Sequence, residues 1–191
     1  MKKAILLAAA VLMIANALSI ASIQTEKEPT LEETLSWIQA KLKETPNPVI
    51  HAKGRDGWYD DFEYYKLAWE GGKVDFVKEL QGNITGETWR ISKYVFMLKD
   101  LDSYSVKLKK GGKYIEGGYQ LAEISLQTYL NKEAITYHID IKKDKYEDPG
   151  IRDGKCYELR FYATDELAER LVKAWQHAIK LCGGNTKKEI F

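Results

Sequence analysis

The sequence predicts an α+β protein: a seven-stranded antiparallel bent sandwich or partly open barrel, with an N-terminal helix and a long C-terminal capping helix. Three observations carry this. Leu31 to Leu42 and Leu167 to Cys182 repeat apolar residues at three- and four-residue spacings, the pattern of amphipathic helices. From Asp61 to Ala163 the period falls to two, as in strands with one buried face. Gly- and Asn-containing breaks divide that region into hairpin-sized pieces.

The first helix is TLEETLSWIQAKLKE, from Thr30. Thr30 and Glu33 have capping-box spacing, and Pro46 and Pro48 stop the helix. Asn47 to Gly57 reads as loop, with room for a short strand at Val49 to Ala52. The first predicted strand is Phe62 to Trp69, with Tyr65, Leu67 and Trp69 on one side. A turn at Glu70-Gly71-Gly72-Lys73 leads to the second, Val74 to Leu80.

The third strand, Glu87 to Lys99, alternates impurely. Trp89 and Ile91 share one parity, Tyr94, Phe96 and Leu98 the other, so a bulge or bend near Ser92 and Lys93 is expected. The fourth is Ser103 to Lys109, with Tyr104, Val106 and Leu108 inward, before a turn region bracketed by Gly111-Gly112 and Gly117-Gly118. The fifth, Tyr119 to Leu130, groups Ala122, Ile124, Leu126 and Leu130. Asn131-Lys132 turns the chain into the sixth, Ala134 to Ile141. A charged loop, Lys142 to Lys155, precedes the seventh, Cys156 to Ala163, with Tyr157, Leu159, Phe161 and Ala163 inward.

The closing helix runs from Thr164 towards Gly184. Leu167, Ala168, Leu171, Val172, Trp175, Ala178 and Ile179 form its apolar stripe. Thr164 stands at the capping position, and Gly183 suits the left-handed residue that ends the helix. Such a stripe needs an apolar surface to cover, and an open end of the sheets offers one.

The first 21 residues have the layout of a secretory signal peptide. Lys2 and Lys3 precede an apolar run from Ala4 to Ile20, and Ser19-Ile20-Ala21 supplies small residues for cleavage. The alternative is an uncleaved anchor, although the run is at the short limit for a membrane span. The expected organisation is signal peptide 1–21, linker 22–29, one domain 30–184 and polar tail 185–191. The expected location is outside the cytoplasm, periplasmic or secreted, with no membrane attachment after cleavage. Without the leader, 27 basic residues face 28 acidic ones, a balance that does not point to nucleic acid.

An oxidising compartment permits a disulfide between the two cysteines, Cys156 and Cys182. They bridge if the last strand and helix lie antiparallel; otherwise Cys182 is a small buried residue on the stripe.

Two features carry a resemblance. Seven strands followed by one helix is the element order of the pleckstrin-homology-like fold. Leu31-Glu32-Glu33-Thr34-Leu35-Ser36-Trp37-Ile38, the run Ala168 to His177 and Leu181-Cys182-Gly183-Gly184 resemble exported bacterial proteins of unknown function. The resemblance implies a fold and brings no catalytic residues. The phosphoinositide site of pleckstrin-homology domains needs a long basic loop between the first two strands, and here that connection is Glu70 to Lys73.

His51, His138 and His177 lack metal-ligand spacing, and no hydrolase, zinc or phosphate-loop motif occurs. No cofactor is implied. Acids such as Asp60-Asp61-Glu63 and Glu147-Asp148 read as solvated. The aromatics on the wet parity, Phe62, Tyr64, Tyr119, Tyr129 and Tyr162, can stack on a sugar or anchor a partner, unless the first helix or a loop covers them. The leading expectation is an exported, non-enzymatic domain that binds an envelope protein or ligand. Two alternatives are a small apolar ligand carrier, with a cavity between sheet and C-terminal helix, and an unrecognised hydrolase using scattered acids.

Overall fold

The computed structural model describes residues 27–44, 49–54, 57–82, 87–114, 120–142 and 148–185. The leader, the linker before Lys27, Tyr119 and the tail from 186 onward lie outside the described residues.

Helix α1 (Leu31–Glu44) opens as its sequence requires. The Thr30 backbone N–H donates to Glu33 Oε2 at 2.7 Å, and the Glu33 N–H donates back to Thr30 Oγ1 at 3.3 Å. The Thr30 backbone hydrogen bond holds the Glu33 carboxyl below its ordinary range. Leu35, Ile38 and Leu42 are buried on the inner face.

Strands β1 (Val49–Gly54), β2 (Gly57–Glu70), β3 (Lys73–Gly82) and β4 (Thr88–Met97) form an antiparallel meander. The chain then leaves that sheet. β5 (Lys107–Tyr114) and β6 (Gln120–Gln127) pair in a second sheet. β7 (Ile135–Ile141) returns to β4, β8 (Gly150–Cys156) joins β7, and β9 (Glu158–Thr164) goes back to β6. The result is a six-stranded sheet, β1-β2-β3-β4-β7-β8, facing a three-stranded sheet, β5-β6-β9. Among the described residues both are open, and no ladder joins them into a barrel.

The expectation of α+β with antiparallel strands holds, and the count of seven does not. Gly150 to Lys155, read as part of the charged loop, belongs with Cys156 to strand β8, whose mostly exposed residues hide the usual apolar alternation. Cys156 therefore ends one strand instead of opening the next. Tyr157 is the corner between the sheets and is 43% exposed, not inward. Ser103–Ser105 is a 3-10 turn, which leaves Tyr104 50% exposed. Gly111-Gly112 lies within β5, where the register slips between Lys109 and Lys113. Leu130 is also exposed, because Tyr129–Asn131 is a 3-10 turn with Leu130 at φ 55° and Asn131 at φ 54°.

Helix α2 (Asp165–Leu181) follows β9 directly. Thr164 occupies the capping position, but its side chain makes no cap hydrogen bond. Gly183, at φ 73°, takes the left-handed turn that only glycine adopts cheaply. The Gly184 N–H then donates to Ile179 O at 2.9 Å, and Asn185 N–H to Leu101 O at 3.3 Å. Ala168, Leu171, Trp175, Ala178 and Ile179 have no exposed surface. Trp175 meets Phe96 of the large sheet, with ring centroids 6.3 Å apart. The helix also packs along β5, β6 and β9, so it closes one end of the sandwich against both sheets. Between the sheets, Tyr65, Phe76 and Phe161 make a three-ring contact with centroids 5.2–5.8 Å apart.

Complete burial of Leu171 sets the first prediction. Leu171→Ala is expected to lose about 2–5 kcal/mol in urea unfolding. Leu171→Asp and Trp175→Asp should not fold, because each puts a charge into a sealed interior. Lys173→Ala should stay within about 0.5 kcal/mol of the parent. Equal midpoints for all four would show that this stripe is not core.

Candidate functional site

Strand β9 has one edge paired with β6 and, among the described residues, no strand neighbour on the other. Side chains of the large sheet serve that second edge. The Tyr162 N–H donates to the Tyr65 hydroxyl at 2.9 Å. Lys78 Nζ donates to the Arg160 carbonyl at 3.0 Å. Glu63 holds both partners: its Oε2 accepts from the Tyr65 hydroxyl, and its Oε1 lies 3.0 Å from Lys78 Nζ. Glu63 is 6% exposed, so this is a nearly sealed carboxylate with its oxygens occupied.

The tyrosines register that environment. Burial, then the negative charge of Glu63, pushes the Tyr65 hydroxyl well above its ordinary range. Burial, then the charge of Glu123, pushes Tyr162 up to about 12. Tyr162 also donates through its hydroxyl to Glu123 Oε2 at 3.1 Å. Tyr94 is raised mainly by burial, and Lys78 Nζ lies 6.0 Å from its ring centroid.

Beside the clamp is a cavity of about 140 Å³ on the inner face of the large sheet. Glu63 and Lys78 form one wall, and Arg90, Ser92 and Tyr94 of β4 form another. Leu80 and Ile139 supply the apolar sides. The site follows from strand period. Glu63 shares parity with Tyr65 and Leu67, Lys78 with Val74 and Phe76, and Arg90 and Ser92 with Tyr94 and Phe96. The expected bend at Ser92 and Lys93 is absent, and β4 keeps one register with β7 from Arg90 to Val95. The irregularity lies at Trp89, between the pairs Leu80–Arg90 and Gln81–Thr88. The change of pattern in this strand marks where its inner face becomes polar.

A second concavity lies on the outer side of the helices. A groove of about 730 Å³ runs between the start of α1 and the middle of α2. Trp37 and Thr34 line one side, and Arg170, Lys173, Ala174 and His177 the other. Arg170 stacks on the Trp37 ring, 5.1 Å from its centroid. His177 Nε2 is 2.9 Å from the Pro29 carbonyl, which pins the chain ahead of α1 across the groove's lip.

The aromatics expected as a binding surface lie on separate elements. Phe62 and Tyr64 are half-buried neighbours on β2, Tyr129 is half-buried at the β6–β7 corner, and Tyr162 is tied to Glu123. Both cysteines are free thiols. Cys182 packs near Gly72, and Cys156 donates to Glu158 O at 3.4 Å. His138 Nδ1 faces Asp153 Oδ1 at 2.7 Å across the β7–β8 pair. Among the described residues, no group of three or more His, Cys, Asp or Glu side chains is placed to hold a metal ion. Nor is any helix there long and apolar enough to cross a membrane. Glu63, read with Asp60 and Asp61 as a solvated acid, is a residue sequence reasoning missed, as are Lys78 and Arg90. The parity of Glu63 with Tyr65 and Leu67 was the available signal.

Compared with known proteins, the chain matches no family model, no curated protein and no solved structure.

Two predictions follow from the clamp. Lys78→Met strands the Glu63 carboxylate in the interior and should cost about 3–5 kcal/mol in urea unfolding. Adding Glu63→Leu should recover part of that loss, since the apolar pair leaves no charge behind. Strictly additive effects would mean that the two side chains act independently. The second prediction concerns pH. Tyr162 and Tyr65 have folded pKa values above the unfolded value near 10, so their neutral forms favour the fold. That stability is complete below about pH 10 and is lost as pH rises through about 12 for Tyr162. Urea titrations at increasing pH should show the decline, and Tyr162→Phe should make it shallower.

Proposed function

We propose that this protein is an exported, non-enzymatic interaction domain of the cell envelope, and that the groove between α1 and α2 docks a partner protein. The groove carries this reading. It joins an aromatic platform, Trp37, to a wall containing Arg170, Lys173 and His177. Trp and Arg are the residue types that dominate binding energy at protein interfaces. Two carboxylates, Glu28 and Glu33, line the opposite side, and Glu33 Oε2 accepts from the Thr30 backbone N–H and hydroxyl. Arg170 and Lys173 thus face Glu28 and Glu33 across the groove, and a lining of both signs beside an aromatic ring favours a segment presenting a polar or charged side chain beside an apolar one. The fully buried stripe of α2 is consumed by the core, and the groove lies beside it, with Trp37 and Ala174 packed partly against that core. The leader-like first 21 residues support export. A helix closing one end of two antiparallel sheets supports reading the fold as a relative of the pleckstrin-homology-like type.

The test is site-specific photocross-linking of the chain from Ser22 in envelope extracts. A cross-linker at Ala174 should give a discrete adduct that Trp37→Ala and Lys173→Glu abolish, each compared below the melt of the variant, since Trp37 also packs against the core. The same adduct from a cross-linker at Lys66, which pairs with Glu79 on β3, would overturn the reading, as would an adduct indifferent to Trp37.

A further inference from the structure

We propose that the end of the sandwich where α2 finishes docks on an anionic lipid bilayer, through a surface separate from the groove. The strand registers define this end. The β3–β4 ladder reaches it at the pair Lys73–Met97, β7–β8 at Ile135–Cys156 and β6–β9 at Gln127–Glu158. The connecting segments are stitched to one another. The Asp102 N–H donates to Gln127 O, the Thr128 N–H to Tyr157 O and the Asn185 N–H to Leu101 O. Tyr104, Leu130, Tyr157 and Leu181 lie on or beside those segments and are 43–63% exposed. Of the exposed large hydrophobics among the described residues, Ile151 alone lies elsewhere, opposite Asp140. Scattered apolar side chains are ordinary at a surface, but a set gathered on one end marks a contact region.

The backbone is held so as to expose one of them. Leu130 and Asn131 take left-handed φ values of 55° and 54°, a region that suits Asn and disfavours Leu. Hydrogen bonds fix the turn. Thr128 Oγ1 donates to Lys132 O at 2.5 Å, the Asn131 N–H to Thr128 O at 3.2 Å and the Thr128 N–H to Tyr157 O at 2.9 Å. Strain over-determined in this way clusters at binding sites.

The rim selects the partner. Lys73, Lys99, Lys107, Lys132 and Lys180 are exposed at this end, against Glu70 and Glu133. The other carboxylates here, Asp100, Asp102 and Glu158, are half-buried. Asp102 accepts from the Tyr104 N–H and the Ser105 hydroxyl, and Glu158 from Gln127 and Arg160. Lys187 and Lys188 follow Asn185 in the sequence. The near-neutral balance of the whole chain hides this local excess. Lysines draw a surface to anionic headgroups, while Tyr and Leu enter the boundary between headgroups and acyl chains. Single side chains on separate corners also need a surface that deforms around them, which a fluid bilayer provides.

The test mixes the chain from Ser22 with vesicles of equal parts phosphatidylglycerol and phosphatidylcholine, and with phosphatidylcholine alone, read by co-sedimentation. A nitroxide-labelled lipid locates the contact by broadening nearby amide signals. Binding to the anionic vesicles should be at least about tenfold tighter and should weaken in high salt. Broadening is expected at Tyr104, Leu130 and Tyr157 and not at Lys66. Lys99→Gln with Lys132→Gln should weaken binding by at least about tenfold. Leu130→Asn should weaken it by at least about fivefold while the thermal melt holds or rises, because Asn accepts left-handed φ more readily. Unchanged binding in Leu130→Asn would overturn the apolar contact, and equal binding to both vesicles the charge argument. Broadening confined to Lys66 would overturn the site. Sedimentation with neither vesicle would overturn the proposal and leave this end to a protein. Binding that appears only when the chain is cut after Asn185 would make the tail the occupant and overturn it equally.

Discussion

Among the described residues the two sheets share no ladder, and a buried carboxylate does much of the joining. Glu63 orients the Tyr65 hydroxyl and the Lys78 ammonium, and these serve the Tyr162 N–H and the Arg160 carbonyl on the second edge of β9. An edge strand with unsatisfied backbone groups is a liability in water and a larger one inside a protein. Here the hydrogen bonds come from side chains of the facing sheet instead of a neighbouring strand. A buried ion pair gains little net stability against an apolar pair of the same size. What this one supplies is direction, since it fixes which backbone groups of β9 face β2 and β3. The rings just beyond it, Tyr65, Phe76 and Phe161, supply the apolar burial.

The other edges are handled in different ways. β1 pairs with β2 only as far as Phe62. Beyond that point α1 covers the edge, with Gln39 Nε2 donating to Leu67 O at 2.9 Å and Trp69 Nε1 to Glu32 Oε2 at 2.7 Å. α1 therefore has two duties, as a cover for β2 and as one wall of the groove against α2. The capping box of Thr30 and Glu33 sets where that wall begins.

Much of this was legible in the sequence, for physical reasons that also explain the failures. Both helices announce themselves because their apolar positions keep a period of 3.6 over three or more turns. The capping box and the left-handed Gly183 are local chemistry, visible wherever they occur. β8 was hidden because Gly150–Cys156 is an edge strand with few buried side chains, so it has almost no pattern to show. The sheet exchange was hidden because a corner such as Tyr157 looks locally like any other residue between strands. Glu63, Lys78 and Arg90 were hidden by the rule that charge marks the wet face. The rule fails where charges pair across an interior, and strict period-two counting from Tyr65, Phe76 and Tyr94 places all three inside.

The two ends of the sandwich are thus unlike. At the Gly71-Gly72 turn, Leu98 N–H donates to Gly72 O at 2.8 Å, and Cys182 at the end of α2 packs against Gly72. Gly71, at φ 55°, makes the tight turn that lets the helix end approach. Along β3 and β4 the register runs from the pair Lys73–Met97 to the pair Leu80–Arg90, seven residues or about 23 Å away. There the inner face changes from Phe76 and Phe96 to Lys78, Arg90 and Ser92. One amphipathic helix can bury only one apolar end. The end it does not reach is the one whose inward side chains are polar, and the clamp marks the boundary between the two.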